Sequence, residues 1–133
     1  MPMIFIKLPV QDLGAARAFY EGLGYRINEH SSDERTAAVV VDDTIVVTLL
    51  TREAFAEVAP GEVGDPSRTT TVVHSLTVPE RGDVDELVEK AVAAGGRPAL
   101  PPRDEGATYT GSFTDPDGHV WQAVWMDQLH VVN

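Results

Sequence analysis

The 133-residue chain contains no cysteine, which excludes disulfides, thiolate nucleophiles and thiolate metal sites and leaves the redox compartment unmarked. It has no apolar run near the roughly 20 residues needed to span a bilayer. Its first residues, MPMIFIKLPV, lack the charged opening, longer apolar stretch and small-residue cleavage site of a secretory signal. A cytoplasmic protein without a membrane partner is the resulting expectation. Basic clusters are also missing. Ten Lys and Arg stand against 21 Asp and Glu, a formal charge of −11, which repels phosphate backbones and anionic membrane surfaces. Nucleic acid is therefore not expected as a partner, and the acidity itself suggests good solubility and a mild preference for cationic ligands.

Familiar catalytic patterns are absent as well. Ser31 and Ser32 sit in a polar stretch without a G-x-S-x-G context, and no Gly-rich loop with phosphate-binding spacing follows a strand. There is no helical His pair and no His-x-His. His30 and His130 fall in a loop and in the tail, and His119 belongs to a turn. Asp42, Asp43, Asp115 and Asp117 serve turns, while Asp83, Asp85, Glu86 and Glu89 form a solvated helix face near an N-terminus, where the helix dipole favours them. No catalytic residue is assigned.

What is present is an ordinary core-forming composition. With 43% hydrophobic and 23% charged residues, a chain of this length buries about two-thirds of its unfolded surface in one domain. MIFIKLPV reads as a strand ended near Pro9. A helix follows, with Asp12 as N-cap, Leu13, Ala16, Phe19, Tyr20 and Leu23 at helical spacing, and Gly24 as its stop. Three strands follow, near Tyr25–Glu29, Ala37–Val41 and Ile45–Leu50, separated by turn-rich stretches. Residues 56–70 lack apolar period and read as a connection. The order then repeats. TVVHSLTV is a strand, and GDVDELVEKAVAAGG is a helix with Val84, Leu87, Val88, Ala91 and Ala94 in one stripe and Gly95 as its stop. Strands are expected at Arg97–Leu100, Thr108–Thr114 and His119–Met126, the last two joined by Asp-Pro-Asp-Gly. Leu8-x-Val10 aligns with Leu76-x-Val78 at an offset of 68, and Gly24 with Gly95 at 71, so a duplication is the expected origin.

The stretches LPVQDLGAARAFYEGLGY and DPDGHVWQAVW, with the repeat between them, resemble the glyoxalase/bleomycin-resistance/dioxygenase superfamily, also called vicinal oxygen chelate, over essentially the whole chain. The resemblance implies an α+β fold. Two tandem βαβββ modules form a curved mixed sheet around a cleft, in a single domain of 1–133 made of module 1–58, connection 59–70 and module 71–133. A homodimer is expected from the same resemblance. Many members hold a divalent metal in the cleft and use it to chelate substrate oxygens; others are metal-free and sequester antibiotics. The four ligand places carry over to Phe5, Leu49 (with Thr48 the neighbouring possibility), Val73 and Gln122. Divalent ions need imidazole or carboxylate donors, so no metal and no other cofactor are expected. A register shift would bring His74 to the third place. His74, however, shares the parity of Leu76 and Val78, which places it between sheet and helix.

Alternation along the strands points Met3, Phe5 and Lys7 into the cleft. It sends Val47 and Leu49, Thr71, Val73 and Ser75, and Val120, Gln122 and Val124 the same way, with Trp121 and Trp125 packing under the second helix. The expected ligand-binding set is Phe5, Lys7, Leu49, Val73, Ser75 and Gln122, an apolar surface with a few polar points that suits a small organic ligand. Two other readings stay open: a metal-dependent lyase, isomerase or dioxygenase resembling lactoylglutathione lyase, and an interaction protein without a ligand.

Overall fold

Ile4–Val10 forms the first strand, β1, and the chain alternates from there between β-branched runs and two amphipathic helices. The computed structural model describes residues 1–127; His130 and the rest of the tail lie outside the described residues. Two units divide between Asp65 and Pro66, inside the stretch 59–70.

In the first unit β1 leads to α1 (Leu13–Gly22), β2 (Arg26–Asn28), a 3-10 turn at Glu29–Ser31, β3 (Thr36–Asp42), β4 (Ile45–Thr51) and α2 (Arg52–Ala56). The strand order is β1-β4-β3-β2. β1 lies parallel to β4, and the other pairs are antiparallel. Asp12 caps α1 by accepting the Ala15 N–H at 3.0 Å, which satisfies one of the free amide donors of the first turn. The chain leaves α1 through Gly24 at φ 103°, a left-handed conformation that costs glycine little. β1 is an edge strand, so Pro9, which has no N–H to donate, is tolerated there. α1 packs against β3 and β4. Its Ala16, Phe19 and Tyr20 are buried, together with Val10, Ala37, Val39, Val47 and Leu49 of the sheet. The Phe19 and Tyr20 rings meet edge to face, with centroids 4.9 Å apart.

The second unit repeats the plan. β5 (Val73–Thr77), α3 (Gly82–Ala93), β6 (Arg97–Pro98), β7 (Arg103–Asp104), β8 (Thr108–Thr114) and β9 (Val120–Met126) follow one another. They make a five-stranded sheet in the order β5-β9-β8-β6, with β7 also on β8. β5 and β9 are parallel, as β1 and β4 are. α3 lies so close to β8 that a Cβ on Gly111 would sit 2.9 Å from Val84 Cγ1 and 3.0 Å from Val88 Cγ2. That contact identifies the helix-covered face of this sheet, which carries Phe113, Trp121 and Ala123, all buried. The fold is thus α+β, with two mixed sheets and no closed barrel among the described residues.

Three details differ from expectation. α2 extends from β4 with no periodic signal, started by Thr51, whose hydroxyl accepts the Ala54 N–H at 3.2 Å. The strand expected over Arg97–Leu100 stops at Pro98. The Leu100 N–H turns to the Ser112 side-chain oxygen at 2.9 Å, and Pro101 and Pro102 have no N–H to offer, so pairing with β8 resumes only at Arg103 as β7. Asp85, assigned to a solvated helix face, accepts a hydrogen bond from the Tyr109 hydroxyl at 2.8 Å. No helix among the described residues is long and apolar enough to cross a membrane.

Candidate functional site

Register, more than sequence, decides which side chains leave the helix-covered faces. In the first sheet Phe5 lies opposite Val46, Lys7 opposite Thr48 and Leu8 opposite Leu49. Residues directly across a ladder share a face, so Phe5 and Lys7 stand with Val46 and Thr48, while Leu49 stands with Leu8 under α1. Leu49 is fully buried. Val47 and Leu49 are therefore corrected: they belong to the core, and Thr48 occupies the place beside Lys7. The reason is parity, since one residue of register moves every side chain of a strand to the other face. On this open face Ala38 lies opposite Thr48 and Arg26 opposite Val40. Phe5 is 56% exposed, and the Lys7 ammonium takes part in none of the ion pairs among the described residues.

The second sheet carries the equivalent row. Val73 lies opposite Val120 and Ser75 opposite Gln122, matching Phe5–Val46 and Lys7–Thr48 position for position. Gln122 is thus the repeat partner of Thr48. Ser75 donates its hydroxyl to Gln122 Oε1 at 2.6 Å, and on the other side of Gln122 lies Ser112. Ser75–Gln122–Ser112 crosses three strands of the open face. Val73, Thr77, Thr110, Thr114, Val120 and Val124 flank it. The Asp-Pro-Asp-Gly turn delivers Gln122 to this row. The buried Asp115 carboxylate accepts the Asp117 N–H at 3.0 Å and the His119 N–H at 2.8 Å, so β9 begins at Val120.

Four of the six expected residues thus fall in two pairs: Phe5 and Lys7 together on the first sheet, Ser75 and Gln122 hydrogen-bonded on the second. Val73 joins the second pair's face, and Leu49 does not belong. Thr48 and Ser112 are the members that parity alone misses.

His74 takes the opposite side of β5, in register with Trp121, and its ring lies 4.7 Å from the indole. Burial lowers its pKa, helped by the nearby His119 and opposed by Asp115. The helix-covered face continues to Tyr109 and Trp125, a cross-strand pair, with the Arg81 guanidinium 4.3 Å and 5.9 Å from the two ring centres. Arg81 also pairs with Asp104 and holds that carboxyl below its ordinary pKa. These groups tie α3 and β7 to the sheet.

The resemblance puts metal ligands at Phe5, Val73, Gln122 and Leu49 or its neighbour Thr48; register gives the last place to Thr48, so Phe5 and Thr48 stand in one sheet and Val73 and Gln122 in the other. One hydroxyl and one carboxamide are neutral donors, and two aromatic or aliphatic side chains are none. Such a set does not fit a divalent ion, which needs anionic or imidazole donors to replace its lost water. Among the described residues no group of three or more His, Asp or Glu side chains converges elsewhere.

Comparison with known proteins places this geometry. No curated protein matches the chain. Among solved structures, a hypothetical protein from S. aureus is 27% identical, with 94% of each chain covered and a TM-score of 0.79. A glyoxalase-related enzyme from Fulvimarina pelagi is 25% identical over 94% of this chain and 88% of its own, also at 0.79. A fosfomycin resistance protein from Mesorhizobium loti shares the fold at 16% identity, covering 96% and 93%, with a TM-score of 0.69. The family model described as glyoxalase/bleomycin resistance protein/dioxygenase superfamily matches residues 3–123. The chain belongs to that superfamily.

Proposed function

We propose that the chain binds a small organic molecule on an open sheet face, without a metal ion. The observation that carries this reading is the Ser75–Gln122–Ser112 row. Gln122 is half-buried among valines, its carbonyl is engaged by Ser75, and its amide N–H₂ has no hydrogen-bond partner among the described residues. A carboxamide fixed at one end and open at the other is a positioned donor for a ligand oxygen. The valines around it supply apolar contact.

Isothermal calorimetry with Zn²⁺, Ni²⁺ and Fe²⁺ tests the metal-free part: no stoichiometric binding is expected, and tight one-to-one uptake by the native chain would overturn it. Gln122→Glu is expected to remain unable to bind these ions, because Phe5, Thr48 and Val73 add no imidazole or carboxylate. Thermal-shift screening against a broad metabolite library tests the ligand part. At least one compound is expected to raise the midpoint in the native chain and lose that effect in Gln122→Ala; silence across the library would support an interaction protein instead.

A further inference from the structure

Charge is unevenly placed in this acidic chain. Of the 21 carboxylates, none occupies a strand position on the open face of the second sheet. Asp104 lies in β7 but opposite Tyr109, on the helix-covered side, where Arg81 takes it. Two guanidiniums do share the open face. Arg97 lies opposite Thr114 and Arg103 opposite Thr110, one step to either side of Ser112 along β8. Arg97 is exposed and makes no ion pair or hydrogen bond among the described residues. Arg103 has one contact, Nε to Glu105 Oε1 at 3.7 Å.

With no carboxylate at its strand positions and two guanidiniums bracketing an open amide N–H₂, Arg103 partly held by Glu105, this face is complementary to negative charge in a chain of net charge −11. We infer that the ligand of this face is an organic carboxylate, its anionic end set between Arg97 and the Gln122 amide and its apolar end along Val120 and Leu100. The inference rests on the small-molecule reading above and names its ligand class, reversing the preference for cations that net charge alone suggests. A planar carboxylate matches the guanidinium fork. Phosphate can take the same fork, so the test below includes it as a competitor. Leu100 is 69% exposed and is held at the edge of the face by its N–H on Ser112, so an aliphatic chain has a surface to cover.

The test uses the full ¹⁵N-labelled chain and four probes: octanoate, octyltrimethylammonium, 1-octanol and inorganic phosphate. Octanoate is expected to shift the Gln122 side-chain N–H₂ and Arg97 Nε–H signals saturably, and the ammonium and the alcohol to bind at least about tenfold more weakly. Arg97→Ala is expected to weaken octanoate about tenfold, with the remaining spectrum unchanged, and Arg97→Lys to restore part of the loss. Equal binding by the ammonium or the alcohol at these signals overturns the carboxylate inference and leaves the small-molecule reading standing. Displacement of octanoate by equimolar phosphate, or shifts confined to residues off this face, also overturns it. Silence from all four probes overturns the carboxylate inference, while the small-molecule reading is judged separately by the thermal-shift library.

Discussion

At the scale of single residues, His74 and Gly118 make measurable predictions. The His74 imidazole has its pKa lowered by burial beside Trp121 and by His119, against the pull of Asp115. Its unfolded form therefore binds a proton more readily than its folded form, and the stability it permits is fully present above its ordinary value of 6.5 and falls as pH drops through and below it. Urea unfolding at descending pH is expected to show this loss in the native chain and a shallower slope in His74→Gln. Gly118 stands at φ 103°, and a Cβ there would lie 2.7 Å from the Pro66 carbonyl oxygen and 2.9 Å from Ser67 Cα. Backbone cannot retreat as a side chain can, so Gly118→Ala is expected to cost about 2 kcal/mol or more, read as a lowered denaturant midpoint. The pairing of Ser75 with Gln122 is only half legible in the sequence. Alternation puts both on one face, but Ser112 joins them only through the β8–β9 register.

At the scale of elements, the contact between α3 and β8 is the sharpest. Gly111→Ala would drive a methyl group against Val84 and Val88 and is expected to destabilise by about 1–3 kcal/mol, as overpacking does. Val84→Ala in the same chain should recover part of that loss, a coupling that a double-mutant cycle on urea midpoints measures. The helices and most strands are legible in the sequence because their signals agree with one another. Asp12, the apolar stripe and Gly24 all mark the same helix, and the Asp-Pro-Asp-Gly turn sets where β9 begins. β4 is different. Its sequence IVVTLLT is apolar on both faces and offers no alternation, so nothing within it says whether Thr48 or Leu49 looks outward. Only its ladder with β1 decides, and such a ladder is a long-range fact. The short α2 and β7 are illegible in the sequence for a related reason: a cap and a two-residue pairing leave too little pattern to read.

At the scale of the whole molecule, the net charge of −11 acts on stability as well as on ligand preference. Self-repulsion opposes the folded state and is screened by salt, so added sodium chloride is expected to raise the thermal midpoint, and a fall in that midpoint would contradict the picture. Each unit also joins its first strand to its last, β1 to β4 and β5 to β9, by parallel ladders. During synthesis, β5 leaves the ribosome long before the residues it will hydrogen-bond. Its exposed Val73 and open backbone then wait through the making of α3, β6, β7 and β8, and a translational pause or early stop before Val120 strands a sticky edge with no partner. Chains ending at residue 119 are accordingly expected in the insoluble fraction, while the unit that ends with α2 has all its strands in hand by Thr51.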